Sequence, residues 1–279
     1  MLYATFQQMT TATTLTIFTR STTTMKAATI APILITGGSQ RLGLAIAQFL
    51  NSEEFEPRYA DTMHQETGSK AACPAVIITY RQKKPAVDVL ISQGVVAIKA
   101  DFATDEGIAS FINTLKKHTS ILGGIIHNAS DWDKETPNAD LAQLFTNMMQ
   151  VHASAPYQIN IACKDMLING GDIIHMTDYV QDKGSSKHIA YAASKAALHN
   201  LTLSFASLLA PKVKVNSIAP SLLIFNDDDS QAYKQKALSK SVLGICPGAQ
   251  EAVNAVNFIF KSTFLTGQVI HLNGGRNIK

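Results

Sequence analysis

Cysteine is scarce in this chain. Cys73, Cys163 and Cys246 are three, odd in number and far apart. They form neither the paired spacing of a zinc site nor a disulfide framework. Free, buried or half-buried thiols and no metal are therefore expected. A surplus of one charge is also missing: 24 basic against 21 acidic residues leave a formal +3, with no block of like charges. That excludes the basic stripe of a nucleic-acid or membrane-surface protein. No segment reaches the roughly 18 apolar residues that cross a bilayer. Residues 1–24 lack acid altogether and hold ten threonines with one basic residue, Arg20. A transit peptide would be equally poor in acid but richer in arginine. The stretch reads as an unpacked tail or an over-long start, with Met25 as the functional first residue.

What is present is regular. Short Ile/Val-rich runs at 33–36, 76–80, 95–99, 124–127, 172–176, 212–218 and 268–272 are apolar on both faces, as strands buried in a parallel sheet are. Helical stretches separate them at 42–50, 86–93, 105–117, 140–167, 189–209 and 250–260, the fifth stopped by Pro211. Alternation over the whole length predicts one doubly wound α/β domain, 25–279, with a parallel sheet of about seven strands. The polar connection 51–74 breaks the rhythm and reads as a surface insertion.

Directly after the first run comes Thr36-Gly37-Gly38-Ser39-Gln40-Arg41-Leu42-Gly43, opening a helix. Glycines there let the backbone approach a pyrophosphate, which sits at the positive helix end. No Lys-Ser/Thr follows Gly43, so the nucleoside-triphosphate loop is excluded. Gly37, Ser39, Arg41 and Leu42 are the candidate cradle. The second run ends in Tyr80-Arg81, where a site for the unphosphorylated dinucleotide usually places an acid. Arginine favours a 2′-phosphate, hence NADPH. Asp101, followed by Phe102, is placed to meet the adenine or to cap the next helix.

Tyr191-Ala-Ala-Ser-Lys195 lies near the start of the fifth helix, with phenol and ammonium on one face. A cation beside a phenol stabilises phenolate, so a lowered Tyr191 pKa is expected. Together with His127-Asn128-Ala129-Ser130 after the fourth run, Val215-Asn216-Ser217-Ile218-Ala219-Pro220 and Asn273-Gly274-Gly275, these motifs resemble the short-chain dehydrogenase/reductase family. The resemblance runs from Ile30 to the C-terminus and implies a Rossmann-like fold. Two departures look like its pteridine reductase branch. Arg41 replaces the middle glycine of T-G-x-x-x-G-x-G, and Asp178 stands thirteen residues before Tyr191, where most members have serine. Thr177–Val180, the run 187–195 and Ser217-Ile218-Ala219-Pro220-Ser221 are similar to bacterial members of that branch.

The resemblance implies NADPH-dependent reduction of a dihydropterin such as 7,8-dihydromonapterin, with hydride to C6, a proton to N5 and dihydrofolate as a weak side substrate. It implies Asp178, Tyr191 and Lys195 as catalytic groups. Asn128, Ala129, Ser130, Tyr191, Lys195 and Pro220 join the cofactor set, while Ser130, Trp132, Asp178, Tyr191 and Ser221 meet the substrate. Trp132, the sole tryptophan, matches the aromatic that sandwiches the pterin against nicotinamide. His152 stands where many members have a relay asparagine and reads as a satisfied core histidine, as do His127 and His175. The loop 221–230 reads as a substrate lid. A cytoplasmic homotetramer, or at least a dimer, is expected. Two alternatives stay open: reduction of another carbonyl substrate, against which a carboxylate at 178 argues, and a non-catalytic NADP(H) sensor, against which Tyr191 and Lys195 argue.

Overall fold

The structure is a computed structural model that describes residues 31–56, 58 and 76–279. The expectations for residues 1–24, for Cys73 and for most of the 51–74 insertion fall outside them.

The first half contains β1 (Ile33–Thr36), α1 (Arg41–Leu50), β2 (Val76–Tyr80), α2 (Pro85–Ser92), β3 (Val96–Lys99), α3 (Asp105–His118) and β4 (Leu122–His127). The second contains α4 (Leu141–Met149), a π turn (Gln150–Ser154), α5 (Ala155–Cys163), β5 (Leu167–Met176), α6 (Val180–Lys183), α7 (Ile189–Leu209) and β6 (Val213–Pro220). It ends with α8 (Gln231–Leu238), α9 (Gln250–Lys261) and β7 (Val269–Leu272). The strands form one seven-stranded sheet, ordered β3-β2-β1-β4-β5-β6-β7, with every pairing parallel.

Alternation along each strand feeds two cores. Ile33 and Ile35 face α1 and α9, meeting Ile46, Leu50, Val256 and Phe260. Leu34 points the other way, into a cluster with Ile77, Ile108, Phe111, Ile159 and Phe205. Phe111 and Phe260 are among the largest fully buried side chains, and truncating either to alanine costs about 3–5 kcal/mol. The chain reverses its winding between β1 and β4, so a crevice opens there beyond the carboxyl ends of the strands. The expected site residues follow those ends: Gly37 after β1, Arg81 after β2, Asp101 after β3, Asn128 after β4, Asp178 after β5 and Ser221 after β6.

Three expectations need correction. The helix foreseen over 140–167 is two helices joined by a π turn, and it stops at Cys163. Pro156 has no N–H to offer the carbonyl of His152, so the regular ladder cannot continue and the turn widens. Leu167 already belongs to β5, a strand of ten residues whose first half is interrupted by Asn169-Gly170-Gly171, which strand patterning does not announce. Asp101 does not cap α3: Thr104 does, accepting the Gly107 N–H at 3.0 Å, while Asp101 accepts from Ala103 in a local turn.

An anchor lies towards the opposite end of the sheet. Asp172, fully buried, pairs with Lys214 at 2.5 Å and with Arg58 at 2.9 Å. Arg58 also donates to the carbonyl oxygens of Gly170 and Phe260. Burial pushes the Asp172 carboxyl up to about 6 despite both cations.

Candidate active site

The phosphate loop is held by the strands beside it. Gly37 N–H donates to Thr79 Oγ1 at 2.9 Å and Gly38 N–H to Thr79 O at 3.0 Å. Asn128 Nδ2 donates back to Gly37 O at 2.9 Å, and Thr36 Oγ1 accepts the N–H groups of Asn128 and Ala129 at 3.0 Å. Gly37 has φ 68°, and a Cβ there would lie 2.9 Å from Ala129 Cα, so only glycine fits. No side chain caps α1, which leaves first-turn N–H groups for an anion. Arg41 keeps the left-handed backbone of the glycine it replaces, at φ 52°. Its guanidinium donates to Asn226 Oδ1 at 2.5 Å and Ile224 O at 3.1 Å, tying the phosphate loop to the loop after β6. Arg81 is 60% exposed and pairs with Asp131 at 3.0 Å.

Across the crevice, Tyr191 donates its hydroxyl to Asp178 Oδ2 at 3.0 Å. Asp178 Oδ1 accepts the Val180 N–H at 3.0 Å, so one oxygen shapes the turn into α6 and the other meets the phenol. Lys195, 3% exposed, donates to Met176 O at 2.9 Å. An ammonium has three donors, so two stay available to a ligand. Burial raises the Asp178 carboxyl, with Lys195 pulling the other way. Burial also brings Lys195 down to about 8, with Asp178 opposing. The expected low phenol pKa is not found: burial, then the Asp178 charge, hold Tyr191 well above its usual 10. Lys195 is turned to a carbonyl and Tyr191 to a carboxylate.

The segment after β4 closes the near side. Trp132 is 59% exposed and packs on His188, ring centroids 4.6 Å apart. Glu135 accepts the N–H groups of Ile189 and Ala190, which fixes the entry of α7 two residues before Tyr191. His152 is buried as expected, but its partners are site residues: Ser130 Oγ and Ser194 Oγ, each at 2.8 Å. Its ring stands edge-on to Tyr191 at 5.4 Å. Sequence reasoning missed Arg276, which lies 4.5 Å over the Tyr179 ring and whose charge reaches Asp178. Its place directly after Asn273-Gly274-Gly275 was the available signal. Ser39 precedes and Leu42 belongs to the first turn of α1, Tyr80 ends β2, Phe102 follows β3, Pro220 ends β6 and Ser221 follows it, all toward the carboxyl ends of the strands. Cys163 is a buried free thiol raised by burial to about 11. Among the described residues no cluster of metal-ligating side chains occurs.

Known proteins carry the same frame. A family model described as enoyl-(acyl carrier protein) reductase matches residues 67–277. A dihydromonapterin reductase of Citrobacter koseri is 46% identical over 89% of this chain and 97% of its own. One from an Enterobacter species is 47% identical over 88% and 96%. The crystal structure of FolM alternative dihydrofolate reductase 1 from Brucella canis, complexed with NADP, superposes with TM-score 0.74 at 23% identity, covering 91% of this chain and 96% of that one. With a family match over most of its length and relatives near half identity across nearly all of theirs, the chain belongs to the short-chain dehydrogenase/reductase family.

Proposed function

We propose that this protein is an NADPH-dependent dihydropterin reductase that converts 7,8-dihydromonapterin to the tetrahydro form, with dihydrofolate as a weak second substrate. The observation that carries the reading is the Tyr191–Asp178 hydrogen bond. A ketone reductase needs a neutral hydroxyl donor at position 178. A buried carboxyl with a raised pKa suits a heterocycle that presents N–H groups and takes a proton at nitrogen. The names borne by relatives at 46–47% identity support the substrate.

The residues fit the cofactor. The glycine cradle, the uncapped end of α1 and Arg81 after β2 would hold its pyrophosphate and 2′-phosphate. Lys195 would donate its two remaining N–H groups to the nicotinamide ribose. NADPH, when bound, supplies the hydride for C6 of the pterin. The protein's part is the proton: Asp178 and Tyr191 share one between carboxyl and phenol and release it toward N5, and Lys195 balances the charge left behind. Trp132 offers a flat apolar face to the pterin ring.

Exposed apolar side chains on α4, α5 and α7, including Phe145, Tyr157, Ile161 and Leu203, support self-association into a homotetramer. Among the described residues no helix is long and apolar enough to cross a membrane. A cytoplasmic setting accords with free thiols at Cys163 and Cys246.

The test is NADPH oxidation with 7,8-dihydromonapterin, dihydrobiopterin, dihydrofolate and a panel of ketones, for the native protein and Asp178→Ser. Turnover of the dihydropterins, lost in the variant at unchanged NADPH affinity, is expected. Ketone turnover alone would overturn the reading. Arg81→Ala should lower the preference for NADPH over NADH about tenfold, the worth of one charge-assisted contact.

A further inference from the structure

We infer that His152 is a positioning residue: it fixes Ser130 as a hydrogen-bond acceptor, so that the end of β4 selects a substrate N–H and rejects a carbonyl oxygen. The inference rests on the dihydropterin reading above and adds the group that reads the substrate's donor edge.

The argument follows protons around one ring. The backbone N–H of Asp131 points at His152 Nε2 from 3.2 Å. An amide N–H can only donate, so Nε2 must accept and carries no proton. Burial, reinforced by the nearby Lys195 charge, holds the imidazole down to about 2, so it is neutral at any working pH. Its one proton is therefore on Nδ1, donated to Ser194 Oγ at 2.8 Å. Ser194 in turn donates its hydroxyl to Tyr191 O at 2.7 Å, consistent with its accepting from the ring.

Ser130 is the remaining partner. Its Oγ lies 2.8 Å from Nε2. Nε2 has no proton and the Asp131 carbonyl oxygen, 3.3 Å away, can only accept, so the Ser130 hydroxyl spends its proton on these two, chiefly on the nearer Nε2. A hydroxyl has one proton and two lone pairs. With the proton so committed, Ser130 can only accept from a ligand. A carbonyl oxygen meeting Ser130 would find lone pairs facing lone pairs, whereas an amino group or ring N–H would be bound. The aminopyrimidinone edge of a pterin carries such donors; a simple ketone has none.

The π turn supports this placement. The widened segment Gln150–Ser154 includes His152, and Pro156 prevents it from closing to a regular helix. Gln150 and Gln158 both donate to Asp105 Oδ1, at 2.8 and 2.7 Å, bracing the turn against α3. Edge contact with Tyr191 fixes the ring plane.

Two measurements on the full chain test it. Nitrogen NMR of histidine-labelled protein should show His152 protonated at Nδ1 and bare at Nε2, with no change as pH falls from about 8 to about 5. A proton on Nε2 would overturn the inference. In kinetics, Ser130→Ala should raise KM for 7,8-dihydromonapterin about tenfold, with kcat and the NADPH Kd nearly unchanged. His152→Leu should do the same, and the double variant should be no worse than either single one. Independent, multiplying losses would overturn it, as would a loss that falls on NADPH affinity, which would assign Ser130 to the cofactor carboxamide. Should His152→Leu not fold, the NMR tautomer and Ser130→Ala still decide. Native turnover of dihydropterins is measured first, so failure of the substrate reading is seen separately.

Discussion

Two polar networks meet along β5, and they are built on opposite rules. The first is closed. His127 Nε2 donates to Asn160 Oδ1 at 2.7 Å, Asn160 Nδ2 donates to His175 Nε2 at 3.1 Å, and His175 Nδ1 donates to Thr202 Oγ1 at 2.8 Å. Thr202 ends the chain on Leu198 O at 3.2 Å. Asn160, His175 and Thr202 are fully buried, and the chain links β4, α5, β5 and α7 across the sheet. The second network, Asp178–Tyr191–Lys195 with Ser130 at its edge, is left incomplete. Lys195 has unused donors, Ser130 has unused lone pairs, and burial raises the Asp178 carboxyl above its ordinary range. Polar groups that fix the fold spend every proton on one another, and those that face a ligand keep capacity in reserve.

Breaking each network should therefore give different symptoms. The largest effect is expected from Tyr191→Phe: a fall in kcat on dihydropterin by about 10²–10⁴, the usual contribution of a positioned proton donor. Its melting temperature should fall only slightly, because one hydrogen bond, to Asp178, is lost; rate assays beside calorimetry would show the split. Asn160→Leu should do the reverse. It leaves the buried Nε2 atoms of His127 and His175 unpaired, a loss of about 2–5 kcal/mol of stability. Denaturant titration should reveal it, while residual activity per folded molecule stays close to native.

The smallest effect expected is on pH dependence. Burial lowers His127 from its usual 6.5 to about 4, and His175 well below 6.5. Between those values the unfolded chain binds protons that the folded chain refuses, so stability is full above about 6.5 and is lost as pH falls toward 4. Asp172, raised to about 6, acts in the opposite direction below that pH and softens the fall. Thermal unfolding across this range should show a midpoint that declines with acid, and Asn160→Leu should steepen none of it if the histidines stay buried. A midpoint that rose on acidification would show that carboxylates dominate.

The closed network and the open one were unequally legible in the sequence. β1, β2 and α7 begin and end where periodicity places them, because buried parallel strands and a long apolar helix announce themselves locally. Asp178 was linked to Tyr191 through the resemblance to the family, in which that position thirteen residues earlier usually holds serine, and not through periodicity. The break at Pro156 was visible as a proline but its π turn was not, because the outcome depends on what the freed His152 carbonyl finds in three dimensions. His152 itself was read correctly as buried and incompletely as structural. Its meaning lies in Ser130 and Ser194, 22 and 42 positions away. The short helices α6 and α8 escaped notice in segments to which the sequence pattern assigned no element. Glu135, which caps α7, carries no motif that a single sequence displays, whereas Arg276, which reaches Asp178, follows the Asn273-Gly274-Gly275 motif directly.

Arg41 places two demands on one position. Its backbone sits in a region that most side chains avoid, at a cost of about 1–3 kcal/mol. Its guanidinium holds the loop after β6 against the phosphate loop. Glycine there would relieve the backbone and release the loop together; lysine would keep the strain and the charge but lose the two-pronged grip. Substitutions at this codon cannot improve one property without surrendering the other, so the tether and the strained turn are inherited as a unit.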